Sequence, residues 1–398
     1  MTRVVLVVGL VAAMSGNARA AEPEKIDLFE ANTAGYKLYR IPGIVVTTKG
    51  TVLAYCEARK SDRGDWGTID ILLRRSTDGG KTWGERKTIA DVPGPKQKNP
   101  VALAQKLADP SDVTYNNPVM IADRSGAVHL LFCLEYMRCF YSRSDDDGVT
   151  WSAPVEITES TFVPIRKEYD WKVLATGPGH GIQLKSGRLV VPIWLSTGTG
   201  GHAHRPSVVS TIVSDDAGKT WKRGEIAIPN TAEWVNPNES AVAELPDGTV
   251  VLNARSESKA NRRLVSVSKD GAGGWSPPRF DDALVEPICM GSLLSVPGEK
   301  PVLLFSNPDN LEKTGGKADP GTNRDRKNVT VRLSEDSGKT WIAKRSVEPG
   351  FSGYSDLALT KDGTVLLFYE RGSTDGATIY KTGRLTVARF PLDWVKGN

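Results

Sequence analysis

Cysteine is sparse in this chain: four residues (Cys56, Cys133, Cys139 and Cys289) among 398, with no metal-ligand spacing among them. Charge of one sign is lacking as well. Fifty-one Lys and Arg face 47 Asp and Glu for a net charge of +4, and the basic residues are interleaved with acids, so nucleic acid is not an expected partner. No apolar run is long enough to span a bilayer, and no stretch carries sustained helical periodicity. The apolar segment Val4 to Met14 is short, follows Arg3 and precedes Ala18-Arg19-Ala20, the pattern of an export signal cleaved after Ala20. The expectation is a signal peptide over 1–20 and a secreted or periplasmic domain over 21–398. Cys133 and Cys139 stand six apart in a strand-like run, roughly 20 Å if extended. A disulfide needs Cα atoms about 5.5 Å apart, so a bridge would require an intervening turn, and buried free thiols are expected.

What the chain does have is repetition. Five segments fit Ser-x-Asp-x-Gly-x-x-Trp: Ser76 to Trp83, Ser144 to Trp151, Ser214 to Trp221, Ser268 to Trp275 (with Ala272 in place of the glycine) and Ser334 to Trp341. Asp bonds its own backbone and Gly accepts positive φ, so these Asp boxes read as hairpin turns plugged by the Trp. A second repeat has six copies, a turn glycine before an aliphatic or β-branched strand, at Gly50, Gly126, Gly187, Gly248, Gly298 and Gly363. Six units of four short strands fit the length, and radial repetition protects sheet edges, which predicts an all-β, six-bladed β-propeller. The sixth copy lacks a box, as expected if the N-terminal strand Ile26 to Glu30 completes the last blade.

Each hairpin brings its chain back to the end it left, so residues flanking each turn glycine share one end of a blade. The leading positions hold Arg40, Asn117, Pro178, Glu239, Cys289 and Tyr354, and the trailing ones Arg59, Glu135, Trp194, Arg255, Ser306 and Glu370. Charges crowded at a propeller axis are costly unless paired or used. Arginines converging there suit an anion, because a guanidinium fork matches a carboxylate. Arg40, Arg255 and one arginine of the loop after Ser306, Arg324 or Arg326, are the candidates. Tyr354 and Glu239 form a possible nucleophile and base, with Asp65 as acid.

In order along the chain stand Tyr39-Arg40-Ile41-Pro42, Glu57-Ala58-Arg59 with Asp65, Arg74-Arg75-Ser76, Gly177-Pro178-Gly179-His180-Gly181-Ile182 and Asn238-Glu239-Ser240. Leu252-Asn253-Ala254-Arg255, Arg326-Lys327-Asn328-Val329-Thr330-Val331, Tyr354-Ser355-Asp356 and Leu367-Phe368-Tyr369-Glu370 follow. With this set the chain resembles the exo-α-sialidases (neuraminidases) of the bacterial and animal type across essentially its whole mature length. The resemblance implies a triad of Arg40, Arg255 and Arg326 on the sialic acid carboxylate, with Arg326 rather than Arg324 because it lies three residues before Val329. It implies that Glu370 holds Arg40, that Arg59 lines the pocket, and that Asp65 is the acid/base, Tyr354 the nucleophile and Glu239 its proton acceptor. Asp62 is a second carboxylate in the linker after Arg59; the spacing to Arg75 favours Asp65.

Tyrosine suits this role chemically. The anomeric carbon of a sialoside carries a carboxylate, which would repel an Asp or Glu nucleophile, whereas a neutral phenol paired with a carboxylate base avoids the repulsion. The implied activity is retaining hydrolysis of terminal sialic acids through a tyrosyl-enzyme intermediate, without cofactor or metal, acting on sialylated glycans, with a monomer expected. A non-catalytic sialoglycan-binding propeller, a trans-sialidase and a glycosidase for a related nonulosonic acid are the alternatives. His202 and His204 occupy a Gly-rich stretch read as a mobile rim loop rather than a metal site. Trp66 and Trp171 either stack on sugar or fill gaps between blades.

Overall fold

The computed structural model describes residues 22–397; the export-signal residues 1–20 lie outside them. The fold is all-β with a propeller-like arrangement of antiparallel sheets. Leu38–Val46, Val52–Arg59, Ile69–Ser76 and Lys87–Thr88 form one four-stranded sheet. The next is built on Tyr115–Ala122, Val128–Leu134 and Arg138–Ser144, the third on Leu189–Ser196 and Ser207–Ser214, and the fourth on Ser240–Glu244, Val250–Ala254 and Arg262–Ser268. The last sheet has seven strands. Its long strand Ala343–Leu359 pairs through its first half with Lys327–Ser334 and through its second half with Thr364–Ser373. Glu24–Glu30 pairs antiparallel with Thr382–Pro391, so the first strand completes the sheet that the last strand enters.

Val52–Arg59, Val128–Leu134 and Leu189–Ser196 are buried along their whole length. Each lies inside a sheet covered on both faces, so its sequence is a nearly continuous apolar run rather than an alternation. Cores form between successive sheets. Tyr55 and Leu73 pack with Leu130 and Phe132, Leu131 with Val191 and Ile193, and Val190 with Leu252 and Leu264. Ile44 and Ala54 meet Leu366, Phe368 and Val387, which joins the first sheet to the last.

The Asp boxes are turns. In the first, Ser76 Oγ donates to Asp78 Oδ1 at 2.7 Å, Thr82 N donates to the same oxygen at 2.9 Å, and Gly80 N donates to Ser76 Oγ at 2.8 Å. Gly80 has φ 86°, a left-handed conformation that glycine takes without steric cost. The boxes at Ser144, Ser214 and Ser334 repeat this pattern. At the degenerate box, Ala272 and Gly273 donate backbone N–H groups to Asp270 instead.

Near the axis the sheets are tied by a few polar groups. Tyr55 Oη donates to Gly179 O at 2.8 Å and accepts from Met120 N at 2.9 Å. Asp356 accepts from Ile44 N (2.9 Å) and Ser292 Oγ (2.7 Å), and its Oδ1 lies 2.7 Å from His180 Nδ1. One carboxylate thus gathers residues of separate sheets.

The four cysteines are free and buried. The reading of 133–139 as one strand-like run is corrected: a turn separates two strands, and Cys133 stands opposite Cys139 in the ladder. Trp171 is fully buried and Trp66 nearly so; both are packing residues. Among the described residues no helix is long and apolar enough to cross a membrane.

Candidate active site

The axial ends of the innermost strands are where ladder geometry is broken. Register shifts fall between Arg40 and Gly43, between Asn116 and Val119, and between Ser352 and Ser355. Ile41, Asn117 and Ile288 carry positive φ (59°, 50° and 64°). For a β-branched residue that conformation is strained, and bulges of this kind re-aim neighbouring side chains. Here they turn Arg40 and Tyr354 toward a common cavity of about 320 Å³.

Tyr354 lines the cavity. Its phenolic oxygen donates to Glu239, 2.6 Å from each carboxylate oxygen, and accepts from Arg255 Nη1 at 2.9 Å. Arg255 Nη1 also donates to Glu239 Oε2 at 2.5 Å. The guanidinium carbons of Arg40 and Arg326 lie 5.2 and 5.0 Å from the centre of the Tyr354 ring. Three arginines from distant parts of the chain therefore surround one phenol. Burial, and then the Glu239 carboxylate, push that phenol well above its ordinary pKa, against the pull of the three arginines. It stays protonated and hydrogen-bonded to a base.

The three cations differ in how they are satisfied. Arg40 is held by Glu370, Nε to Oε1 at 2.9 Å and Nη2 to Oε2 at 3.2 Å. Glu370 Oε2 also accepts from Tyr354 N, and a Cβ on Gly353 would lie 2.4 Å from that oxygen. Only glycine lets the chain pass there. Arg326 has one hydrogen bond, Nη2 to Ile288 O at 2.6 Å, while its buried Nε and Nη1 have no partner. A buried guanidinium short of acceptors is costly, and an entering anion would relieve that cost. Arg324 is not part of the cluster; it donates to Thr322 O, Ala318 O and Asn261 Oδ1 and braces its own loop.

Asp65 stands across the cavity, its side chain 42% exposed, 2.9 Å from Arg59 Nη1. Arg59 is fixed in turn by Glu57, whose Oε2 accepts from Nη2 at 2.7 Å and whose Oε1 accepts from Asn117 N at 2.9 Å. Partial desolvation at the cavity wall would raise the Asp65 carboxyl, but Arg59, and more weakly His204 and Arg40, hold it well below the usual carboxylate range. Asp62 sits at the rim and pairs with Lys381 at 3.7 Å, away from Arg59.

All eight residues singled out from the sequence (Arg40, Arg59, Asp65, Glu239, Arg255, Arg326, Tyr354 and Glu370) thus meet in one cluster. Glu135, a ring position in the sequence, turns instead to Lys98 at 2.8 Å. Three features were missed. Glu57 carried no assigned role, although its two-residue spacing from Arg59 puts both side chains on one strand face. Tyr380 covers Arg326 and Arg40, with its ring centre 4.6 and 5.7 Å from the two guanidinium carbons. His204, in the stretch read as a rim loop, packs its ring 5.0 to 5.5 Å from those of Tyr136, Trp194 and Trp66. That burial, opposed by Asp65, lowers the imidazole to about 4. Among the described residues no group of three or more His, Cys, Asp or Glu is placed to hold a metal.

The chain is similar to several known proteins. A sialidase of Bacteroides fragilis is 32% identical over 355 residues, which cover 83% of this chain and 60% of the relative. A sialidase of Micromonospora viridifaciens is 30% identical over 387 residues, covering 93% of this chain and 54% of the relative. The chain thus spans little more than half the length of these curated relatives. The solved Hadza microbial sialidase Hz136 superposes with a TM-score of 0.73 at 27% identity, covering 93% of this chain and 69% of that one. The BNR repeat-like domain family matches residues 50–367, and the chain belongs to that family.

Proposed function

We propose that this protein is a retaining exo-α-sialidase that removes terminal sialic acids from sialylated glycans; the relatives it resembles are named sialidases. The observation that carries this reading is Arg326. It is a buried cation with two unpartnered nitrogens, beside Arg40 and Arg255 and against the ring of a tyrosine bonded to a glutamate. That constellation suits a sugar whose carboxylate sits on the carbon under attack.

In the first step the Tyr354 oxygen attacks the anomeric carbon while Glu239 takes the phenolic proton. The bond to the aglycone oxygen breaks, and that oxygen takes a proton from Asp65. In the second, water attacks the same carbon and gives a proton to Asp65, while the departing tyrosyl oxygen recovers its proton from Glu239. One water is consumed, and two inversions retain configuration. Asp65 must be protonated at the start, although Arg59 depresses it. A bound substrate opposes that depression: its carboxylate offsets the arginine charge, and its sugar displaces water from Asp65. The arginines orient the substrate and screen its charge.

Six blades belong to the same reading. Taking the seven-stranded sheet as two units that share Ala343–Leu359 is supported by the split pairing of that strand and by the six sequence repeats. Export, the expectation drawn from residues 1–20, and a monomeric state complete the proposal. The test is hydrolysis of defined α-sialosides with the product anomer followed by NMR. Release of the α-anomer first supports the reading; release of the β-anomer first, or no release, overturns it.

A further inference from the structure

Lysine is rarely buried, because its ammonium must leave water. Lys98 is buried, with 3% of its side chain exposed, and it is not among the residues that line the cavity. Its ammonium is fully engaged. Nζ donates to Trp66 O at 2.9 Å and to Thr114 Oγ1 at 2.8 Å, and it pairs with Glu135 Oε2 at 2.8 Å. A longer contact of 3.4 Å reaches Asp112 O. Glu135 is also buried, and its other oxygen accepts from Thr114 N at 2.6 Å.

What these groups hold is the loop 60–68, which carries Asp65. Lys98 binds the carbonyl of Trp66, the residue after Asp65, and Thr114 Oγ1 donates to the carbonyl of Gly67 at 2.7 Å. Asp112 ties the loop on either side of these two, accepting from Arg63 Nη2 at 3.0 Å and from Thr68 Oγ1 at 2.8 Å. A buried ion pair adds little net stability, because desolvation offsets its attraction. Its consequence here is positional. Asp65 is 42% exposed and is held at its carboxylate by Arg59, so the backbone beneath it decides how near it stands to a leaving oxygen. Proton transfer works only within hydrogen-bond reach, and a shift of about 1 Å is enough to impair it.

Resting on the sialidase reading, we infer that Lys98 is a positioning residue for Asp65. With Glu135 and Thr114 it fixes the peptide carbonyls that follow Asp65, and so sets the distance at which that carboxyl meets the leaving oxygen. Its effect falls on the proton transfer and not on the hold of the arginines on the sugar acid.

The experiment compares the full-length wild type with Thr114→Val, Lys98→Met/Glu135→Gln and Asp65→Ala. Thr114→Val keeps the ion pair and the double variant removes both charges together, so neither strands a buried charge; Thr114→Val decides the matter if the double variant does not fold. The substrates are the better of 3′- and 6′-sialyllactose, whose leaving alkoxide needs a proton, and p-nitrophenyl α-sialoside, whose phenolate leaves without one. The quantity compared is kcat/KM, which reports the steps through departure of the aglycone. Asp65→Ala should lower it far more for sialyllactose than for the aryl sialoside. The positioning variants should lower it by about tenfold or more for sialyllactose and by less than about threefold for the aryl sialoside. A general loss of structure would lower both in proportion. Equal losses on the two substrates, or no loss, with Asp65→Ala still selective, overturn the role of Lys98 alone. An Asp65→Ala variant without that selectivity, or a wild type that cleaves neither substrate, overturns the catalytic reading and this inference with it.

Discussion

The phenolic oxygen of Tyr354 lies 2.6 Å from both carboxylate oxygens of Glu239, 115 residues away in the sequence. This is an acid–base pair in which the weaker acid holds the proton, and Arg255 bonds to both members. Tyr354→Phe should abolish measurable steady-state turnover of an aryl α-sialoside. Glu239→Gln should lower kcat by about 10²- to 10⁴-fold, the range for a lost general base. Circular dichroism and melting curves should show both variants folded. Near-wild-type turnover in Tyr354→Phe would remove the phenol from the reaction.

Arg40 and Arg326 should behave oppositely when truncated. Arg40→Ala strands the buried Glu370 carboxylate and should cost about 3–5 kcal/mol of stability, the usual penalty for breaking a buried ion pair. Arg326→Met removes a buried cation that lacks a carboxylate partner, so stability should be unchanged or higher. Its affinity for an anionic sugar acid should drop by about 10- to 100-fold. Urea denaturation and calorimetric titration separate the two effects. A large loss of stability in Arg326→Met would contradict the account of that residue as an unsatisfied anion receptor.

Asp356 should matter to the fold and lie outside the chemistry. Asp356→Ala leaves Ile44 N, Ser292 Oγ and His180 without their shared acceptor and should cost about 3 kcal/mol or more. The check is chemical denaturation: a loss below about 1 kcal/mol would show that these groups find other partners.

His204 gives the pH dependence. Its folded pKa, lowered to about 4, lies below the unfolded value near 6.5. The unfolded chain therefore takes up this proton first as pH falls. The contribution of neutral His204 to stability is full above about pH 6.5 and is lost progressively toward pH 4. Melting temperature should accordingly drop less between pH 7 and 4 in His204→Gln than in the wild type, and NMR should place the His204 ring titration near 4. A titration midpoint at 6 or above would contradict the packed, neutral imidazole.

The sequence by itself determined the parts whose physics is local. An Asp box is closed by hydrogen bonds within about eight residues, so Ser76, Asp78 and Gly80 announce their turn without knowledge of the rest of the chain. The spacing of strands around each turn glycine then placed Arg40, Glu239, Arg255, Tyr354 and Glu370 at corresponding ends of repeating units, and the ordered motifs pointed to a shared site. Tertiary structure decided what depends on who else is present. Arg324 and Arg326 are two residues apart in one loop, yet Asn261 and Ala318 occupy one while the other is left facing Tyr354. Asp62 and Asp65 differ because Arg59 reaches only the second and Lys381 meets the first. The turn between Cys133 and Cys139, the neutral state of His204 and the placement of Tyr380 over two arginines likewise required neighbours from other strands. Turn chemistry is written in adjacent residues, whereas the charge, burial and exposure of a side chain are set by groups that only the folded chain brings together.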